Sequence, residues 1–448
     1  MALSRISTSV LKNIPCRHAS ALFIPGNKAT DCYSFLSPIL DFDDRFADIK
    51  KLEYQLHCRK IPVDVAAIKE SWDFYKSIDH QRHLVEVQRE ELAQKIKKVK
   101  KTGGSIEELK TQGAILRQDL KIIKEQLWKL EETVIVNVLN LPNDLDEKTP
   151  MEPVVLRTQG RKTLGTSKSH LELGLERHLV EFLEPMCYYL TNEAALVELA
   201  ATRWAAGYFL DTIRVSGTDF ARDFVVEASG TDHTDPRASF LLEQSNHDDK
   251  ILGKLHLVGG SSLIAFLSMH TKQLINPKSL PLRYHSVGRN YFPTIGNSTP
   301  TVGKADLGLF WVAQATNVDC FTLSKASEAT KEFSKLVEVV TRVYDDLGVH
   351  YRIVLRAADE LKPWESLKVS FEMWSRHRQE YVEVGHLATH GNYFSKRLLI
   401  AFQTNNGRDY PSAISGTVLS VSNLIGCLIE DSVDFIPSVI KRNMVDVL

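Results

Sequence analysis

The chain has 448 residues, of which 43% are hydrophobic, so it is long enough to bury a large core and to hold two domains after a leader. Its 55 basic side chains nearly balance 56 acidic ones, which excludes a protein that binds nucleic acid through its overall charge. No apolar run approaches the roughly 20 residues of a membrane-spanning helix, so we expect no membrane contact.

The first thirty residues have the composition of a mitochondrial transit peptide. They include several early serines and threonines and no acid before Asp31. Four basic residues are distributed among them: Arg5, Lys12, Arg17 and Lys28. We therefore expect residues 1–30 to direct import into the mitochondrial matrix; an unstructured basic N-terminus is the alternative.

Cysteine and histidine spacing gives no metal site. The six cysteines form no CxxC pair, which suits reduced thiols in a matrix protein. They occur at positions 16, 32, 58, 187, 320 and 427. His386 and His390 would converge on a metal if they lay in a helix, but no third ligand is evident. We predict neither a metal nor a cofactor.

The clearest hydrophobic periodicity lies at about 80–140. Apolar residues there are spaced by three, four or seven positions, which places them on one helix stripe. They are Ile106, Leu109, Leu116, Leu120, Ile123, Leu127, Leu130 and Val134, preceded at similar spacing by Val85, Leu92, Ile96 and Val99. Residues 101–105 break the pattern, and 141–143 (Leu-Pro-Asn) end the second helix. The pattern predicts a long antiparallel hairpin of coiled-coil type within an arm domain at 31–150.

A cluster of lysines precedes the predicted turn of the hairpin. The cluster, called the lysine tip below, consists of Lys95, Lys97, Lys98, Lys100 and Lys101. Such a cluster can follow the phosphates of a nucleic acid, although most lysine runs are simply a solvated helix face. We predict that the lysine tip contacts RNA phosphates, without sequence specificity.

The chain after about residue 75 resembles class II aminoacyl-tRNA synthetases, and seryl-tRNA synthetases in particular. Residues 188–230 resemble the motif 1 region, 280–321 the motif 2 hairpin, and 412–431 the strand and helix of motif 3, in the family's order. The resemblance is to a catalytically degenerate paralogue of the mitochondrial enzyme. It implies an α+β fold, in which 151–448 form an antiparallel sheet flanked by helices and the N-terminal arm grips tRNA.

Positions at which the family binds ATP phosphates carry other side chains here. The resemblance implies that the arginine and acid of motif 2 match Phe292 and Thr294, and that a following arginine and histidine match Trp311 and Ala313. The motif 3 arginine matches Asn423. A guanidinium makes two charge-assisted bonds to phosphate oxygens, which none of these side chains can do.

The serine-binding positions differ as well. The family's glutamate for the substrate amine matches Ser262, and its serine-rich run matches 385–389, while Glu383 and Arg397 are retained. Removing one charge-stabilising donor commonly lowers a rate by about 10² to 10³. We therefore predict a pseudoenzyme that makes no seryl-adenylate.

Two functions remain open on the sequence alone. The first is an inactive subunit that pairs with the active mitochondrial seryl-tRNA synthetase and supports tRNA-Ser charging and mitochondrial translation. The second is a mitochondrial RNA-binding regulatory homodimer without a role in aminoacylation. The family dimerises across motif 1, where the apolar run 194–200 is retained and Arg214 lies near the position of the family's proline.

A third function, an active ligase for another acid, is disfavoured because its ATP phosphates would still need to be neutralised.

Overall fold

The computed structural model describes residues 20–26, 36–101, 105–165, 168–243, 253–293 and 305–444. The predicted transit peptide at 1–30 lies outside these residues, except for 20–26. The chain divides into two compact units. The first extends to Leu141 and the second is Pro142–Leu448, except that the short segments Leu36–Ile39 and Cys58–Lys60 belong to the second unit. None of the described helices has the length and apolar character that crossing a bilayer requires.

The first unit is helical. Its helices are α1 (Asp43–Ala47), α2 (Ile49–Cys58), α3 (Val65–Lys101), α4 (Glu107–Leu130) and α5 (Val136–Leu139). Helices α3 and α4 are antiparallel neighbours, since Leu92 faces Gly113 and Lys124 Nζ lies 3.2 Å from Glu86. All twelve apolar residues of the predicted stripes are buried or half-buried, which confirms the hairpin. The start of α3 at Val65 and the two helices before it were not predicted.

A π-helical segment at Glu131–Ile135 separates α4 from α5. The carboxylate of Glu131 is buried there, and its Oε2 atom has no hydrogen-bond partner. Burial raises the pKa of Glu131, although the Gly26 backbone N–H lowers it by hydrogen bonding. The apolar periodicity gives no indication of this segment.

The second unit contains the sheets. Its strands are β1 (Val154–Gln159), β2 (Val180–Glu184), β3 (Cys187–Leu190), β4 (Ile213–Val215), β5 (Phe220–Arg222), β6 (Phe240–Leu242), β7 (Leu255–Leu257), β8 (Leu274–Ile275), β9 (Leu282–Tyr291), β10 (Gln314–Ser324), β11 (Tyr351–Leu355), β12 (Leu367–Ser375), β13 (Glu380–Gly391), β14 (Ala401–Thr404), β15 (Gly407–Asp409) and β16 (Ser412–Ser420). Its α-helices are α6 (His170–Glu176), α7 (Asn192–Ala206), α8 (Asp223–Ala228), α9 (Leu263–His270), α10 (Ala326–Leu347), α11 (Tyr393–Leu398), α12 (Val421–Asp431) and α13 (Ser438–Met444).

Eight strands form the main sheet in the order β1-β11-β12-β13-β16-β10-β9-β4. All neighbouring pairs are antiparallel except β4 and β9. Smaller sheets are formed by β15-β14-β8, β2-β3 and β5-β7-β6. The predicted α+β architecture with an antiparallel sheet flanked by helices is confirmed.

The two faces of the main sheet differ in chemistry. On one face Val318, Leu387 and Val418 are buried in a core shared with α7, α10 and α12. On the other face Asp319 lies directly opposite Thr417 in the strand register. Because side chains alternate along a strand, the polar residues of β9, β10, β13 and β16 collect on this second face.

The apolar run at 194–200 forms part of α7. Its residues Ala194, Val197 and Ala200 are completely buried in the core of the unit, whereas Leu199 is 54% exposed. Three of the seven residues of this run therefore belong to the core of the unit, and the role of the run in an intersubunit surface stays a prediction.

Candidate functional site

A cavity of about 420 Å³ lies on the polar face of the main sheet. Its floor comes from β9, β10, β13 and β16, and one wall comes from the start of α9. A second wall is a loop that contains Lys362, Trp364 and Glu365. Arg59 anchors this loop by donating to the backbone oxygens of Lys362 (3.2 Å) and Glu365 (2.5 Å). A volume of this size is typical of small-molecule sites.

Four polar side chains form a hydrogen-bond chain across the floor of the cavity. Ser261 Oγ donates to Asn290 Oδ1 (2.7 Å), and Asn290 Nδ2 donates to Asp319 Oδ2 (2.9 Å). Thr417 Oγ1 donates to the other carboxylate oxygen of Asp319 at 2.6 Å. Donors on both sides hold the Asp319 carboxylate in one orientation.

The Asp319 carboxyl is buried, and burial raises its pKa to about 6. The hydrogen bonds of Thr417, Ser261 and Asn290 and the nearby His386 act in the opposite direction. Desolvation prevails because no full positive charge lies against the acid among its described partners. The group is therefore an anion at neutral pH that a positively charged ligand would stabilise.

A tight turn brings the start of α9 against β9. Gly259 has φ +97°, and a β-carbon there would lie 2.1 Å from the backbone oxygen of Arg289. Only glycine fits this approach, which places Ser261 beside Asn290. Ser262 is the N-cap of α9: its Oγ accepts from the Ala265 N–H (3.2 Å).

The cap assigns a structural role to Ser262. Its hydroxyl also donates to the Gly259 backbone oxygen at 2.7 Å, so it is engaged on both sides. Ser262 nevertheless lines the cavity. A hydroxyl held in this way supplies no charge to a ligand.

The retained acid Glu383 lies in a group of basic side chains on β11 to β13. Lys368 Nζ is 3.0 Å from one carboxylate oxygen, Ser370 Oγ donates at 2.6 Å, and His386 Nδ1 lies at 3.2 Å. Burial raises the pKa of Glu383, but Lys368, His386 and Ser370 together hold it well below its usual range. Both oxygens of this carboxylate already have partners within the protein.

Asn423 lies in α12, next to Glu383. Its Nδ2 donates to the backbone oxygen of Glu383 at 2.8 Å, so its amide fastens the start of α12 to β13. It is not among the residues that line the cavity.

The motif 2 positions lie around the end of the β9–β10 hairpin. Phe292 follows β9, lines the cavity and is 47% exposed. Its backbone N–H donates to the Ala313 oxygen at 2.7 Å, and Ala313 is buried. Trp311 precedes β10, and Thr294 lies outside the described residues. Of the five predicted positions that are described, Phe292 and Ser262 line the cavity, while Trp311, Ala313 and Asn423 do not.

His386 and His390 lie on one face of strand β13 and line the cavity. Burial lowers the pKa of His390 to about 4, so its imidazole is neutral at pH 7. Its Nε2 contacts Ser415 Oγ at 2.8 Å. Within the described part of the chain, no group of three or more metal-ligating side chains is positioned to hold a metal ion.

Arg397 matches an arginine of the family, but its side chain packs against Tyr393 of its own helix, α11. Its guanidinium lies 3.4 Å from the centre of the Tyr393 ring and donates to the Tyr393 backbone oxygen at 3.2 Å. The side chain is buried.

The lysine tip lies in the last two turns of α3, in the first unit, and its five side chains are exposed. Lysines at a helix C-terminus also interact favourably with the helix dipole, a structural role that needs no ligand.

Sequence reasoning missed the hydrogen-bond chain from Ser261 to Thr417. The available signal was Asp319 itself, an acid within the apolar strand Val318–Leu323 of β10. A buried acid in such a strand needs partners, but these partners come from β9, α9 and β16.

The comparisons with known proteins agree with this geometry. Residues 240–432 match the family described as tRNA synthetase class II core domain (G, H, P, S and T). This match covers the six inner strands of the main sheet and leaves out its edge strands β1 and β4. It also includes most of the residues that line the cavity. The fold is that of a class II aminoacyl-tRNA synthetase core.

Curated relatives narrow the family. The serine-tRNA synthetase-like protein Slimp of Drosophila melanogaster is 31% identical over 432 residues, which are 93% of this chain and 90% of the fly protein. The mitochondrial serine-tRNA ligase of Mus musculus is 25% identical over 437 residues, covering 90% of this chain and 81% of the mouse protein. The chain belongs to the seryl-tRNA synthetase-like family.

Solved structures show the same fold. Seryl-tRNA synthetase from Pyrococcus horikoshii, complexed with ATP, has a TM-score of 0.76 at 19% identity and covers 91% of this chain and 98% of its own. The cytoplasmic serine-tRNA ligase from Naegleria fowleri, in complex with AMP, has a TM-score of 0.73 at 13% identity, over 88% and 94% of the two chains.

Proposed function

We propose that this chain is a catalytically inactive seryl-tRNA synthetase-like protein of the mitochondrial matrix. In this proposal it pairs with the active mitochondrial seryl-tRNA synthetase and supports tRNA-Ser charging and mitochondrial translation. The observation that carries the proposal is Asn423, whose amide is bonded to the Glu383 backbone where the family has its motif 3 arginine.

Loss of phosphate-binding charge supports inactivity. By the resemblance, Phe292 and Asn423 take the positions of two phosphate-binding arginines, and neither side chain carries a charge. Each missing donor commonly lowers a rate by about 10² to 10³, and the losses occur together. The retained Glu383 is paired with Lys368, so a nucleotide-bound metal ion would have to displace the lysine ammonium.

Pairing is supported by exposed apolar side chains around the motif 1 segment. Leu210 is 87% exposed, and Leu183, Tyr189, Leu199 and Ile213 are exposed as well. So many exposed large apolar residues in one stretch of chain favour a protein interface. Because family dimers form across motif 1, we assign this surface to contact with the partner synthetase, and the exposed lysine tip to tRNA.

The pairing is tested by light scattering after size-exclusion chromatography. The chain without residues 1–30 is run alone and mixed with mitochondrial seryl-tRNA synthetase from the same organism, and tRNA-Ser charging is measured on the same samples. We expect a one-to-one heterodimer with higher charging than the enzyme alone.

A variant pair locates the interface. Leu210→Glu should reduce heterodimer formation, whereas Val433→Glu, at a residue 83% exposed elsewhere in the second unit, should not. A homodimer that ignores the enzyme would contradict the proposal and favour the RNA-binding regulatory homodimer instead.

A further inference from the structure

The hairpin of α3 and α4 exposes apolar side chains on one of its two flanks. Leu84 and Val87 of α3, called the α3 pair below, are 48% and 38% exposed. Ile115 and Ile122 of α4, called the α4 pair, are 56% and 45% exposed. A groove of about 320 Å³ between the helices is lined by Glu91 and Ile115, so these two residues share one flank.

Helical spacing places both pairs on that flank. The α3 pair precedes Glu91 by seven and four residues, and the α4 pair consists of Ile115 and the residue seven positions later. These spacings return to the same side of a helix. The surface formed by the two pairs is called the open flank below.

Ion pairs cover the opposite flank of the hairpin. Lys124 Nζ of α4 lies 3.2 Å from Glu86 Oε1 of α3, and Arg82 Nη1 lies 2.6 Å from Glu86 Oε2. The two flanks therefore differ in chemistry. Four large apolar side chains exposed together on one flank mark an interaction surface.

The two apolar pairs lie at the same height along the hairpin. Leu92 and Gly113 face each other across it. The middle of the α3 pair lies six to seven residues before Leu92, and the middle of the α4 pair lies five to six residues after Gly113. At about 1.5 Å per residue, the two midpoints are nearly level. A two-fold axis at this height would bring each pair onto the same pair of a second copy.

Exposed charges follow the same symmetry. Asp73 lies eleven residues before the α3 pair and Lys98 eleven residues after it, which is about three helical turns in each direction. In α4, Glu108 lies seven residues before the α4 pair and Lys129 seven residues after it. The two-fold axis would therefore place Asp73 of one copy opposite Lys98 of the other, and Glu108 opposite Lys129. Every one of these pairs combines opposite charges.

We propose that the open flank binds the open flank of a second copy of this chain. The two hairpins pack face to face, α3 antiparallel to α3 and α4 antiparallel to α4, and form a four-helix bundle with the apolar pairs at its centre. The opposite charges on both sides of the centre fix the antiparallel register. The inference goes beyond the proposed function, because a heterodimer contains one such chain and this contact joins two heterodimers.

Sedimentation velocity over a range of protein concentrations tests the proposal. The chain without residues 1–30 is mixed with mitochondrial seryl-tRNA synthetase, and it is also run alone with Leu210→Glu, which removes the motif 1 contact. In both samples we expect a second species of twice the mass, which increases with concentration. Leu84→Glu should remove this doubled species because it places a charge at the centre of the contact. Tyr54→Glu, at a side chain of α2 that is 63% exposed, is the matched control and should keep it.

A charge exchange in α4 tests the register. Glu108→Lys should weaken formation of the doubled species about tenfold, because two exposed pairs change from attraction to repulsion. Lys129→Glu should weaken it to a similar extent. The double variant Glu108→Lys with Lys129→Glu should recover the association of the parent, since opposite charges face each other again only in this antiparallel register. The double variant carries both changes, so its recovery excludes misfolding as the cause of the loss.

Absence of the doubled species, its persistence in Leu84→Glu, or no recovery in the double variant would each overturn the inference. These outcomes leave the one-to-one heterodimer, and so the proposed function, unaffected. Failure to form the heterodimer, with doubling of the chain alone retained, would instead contradict the proposed function and support the contact between arms.

Discussion

Asp319 is buried in the floor of the cavity with Asn290 and Thr417 as donors to its two oxygens. Its acid character is visible in the sequence, but its environment is not. The register of β10 against β16 places Thr417 opposite it, and the turn at Gly259 brings Ser261 to Asn290. At this scale the sequence identifies a residue type, and the sheet decides what surrounds it.

Asp319→Asn should stabilise the protein at neutral pH. Burial raises the folded-state pKa to about 6 from 3.8, so ionisation above that pH costs about 2 to 3 kcal/mol of unfolding free energy. The asparagine variant avoids this cost, and its advantage should shrink as pH falls from 6 toward 4. Urea unfolding at pH 7.5 and pH 4 measures both values; a variant that is less stable at pH 7.5 would contradict the prediction.

Asn423→Arg should not restore adenylate formation. The new arginine loses the 2.8 Å bond to the Glu383 oxygen, and Phe292 still leaves the motif 2 arginine missing. We expect the variant and the parent to show no serine-dependent pyrophosphate exchange, with active seryl-tRNA synthetase as the positive control. A signal from the variant alone would mean that one charge suffices.

The hairpin of α3 and α4 could be predicted as an element because twelve apolar residues repeat at helical spacing, and packing of the two helices requires little else. The π-helical segment at Glu131–Ile135 could not be predicted. Its residue Glu131 is buried and accepts a hydrogen bond from the Gly26 backbone, a contact between residues distant in the chain that local spacing does not contain.

Glu131→Gln should increase the protection of α3 and α4 against hydrogen exchange at pH 7.5. Burial raises the folded-state pKa of Glu131, so its ionised form opposes folding above that pKa, and glutamine removes the charge. The gain comes from removing the charge alone, because the glutamine amide still leaves a polar atom at the same buried position. Glu125→Gln, at an exposed position of α4, is the control and should change nothing. If the unsubstituted chain were equally protected at pH 7.5 and at pH 4, ionisation of Glu131 would not be the cause of the lower protection.

Neutralising the lysine tip should weaken RNA binding and its salt dependence. The test variant carries Lys97→Ala, Lys100→Ala and Lys101→Ala, and the control carries Lys110→Ala, Lys121→Ala and Lys129→Ala in α4. Removing a lysine that neutralises a phosphate should reduce the slope of log affinity against log salt by about 0.7. Filter binding of mitochondrial tRNA at several salt concentrations measures the slope; an equal reduction in both variants would indicate bulk charge and not a site.

At the scale of the whole molecule, the second unit has the fold of a synthetase core, and we proposed that it lacks the charged side chains of the reaction. The apolar side chains that are exposed between Leu183 and Ile213 form the surface that we assigned to the partner synthetase. Burial of this surface links the stability of each partner to the other.

Mixing the chain with its partner synthetase should raise the thermal unfolding midpoint of the second unit, and the midpoint should rise with protein concentration. The reason is mass action, because the heterodimer binds folded and not unfolded subunits. Scanning calorimetry at two concentrations tests this. A midpoint independent of both partner and concentration would contradict association through this surface.

The sequence by itself determined the hairpin, the lysine tip and the family resemblance. Each of these depends on local spacing or on residue identities in chain order. The resemblance also identified the uncharged side chains at Phe292 and Asn423. Only the tertiary structure decided that α7 buries Ala194, Val197 and Ala200, that Ser262 caps a helix, and that Asp319 has its hydrogen-bond partners on other strands. These features depend on contacts between residues distant in the chain, whose pairing is set by strand register and close backbone approach.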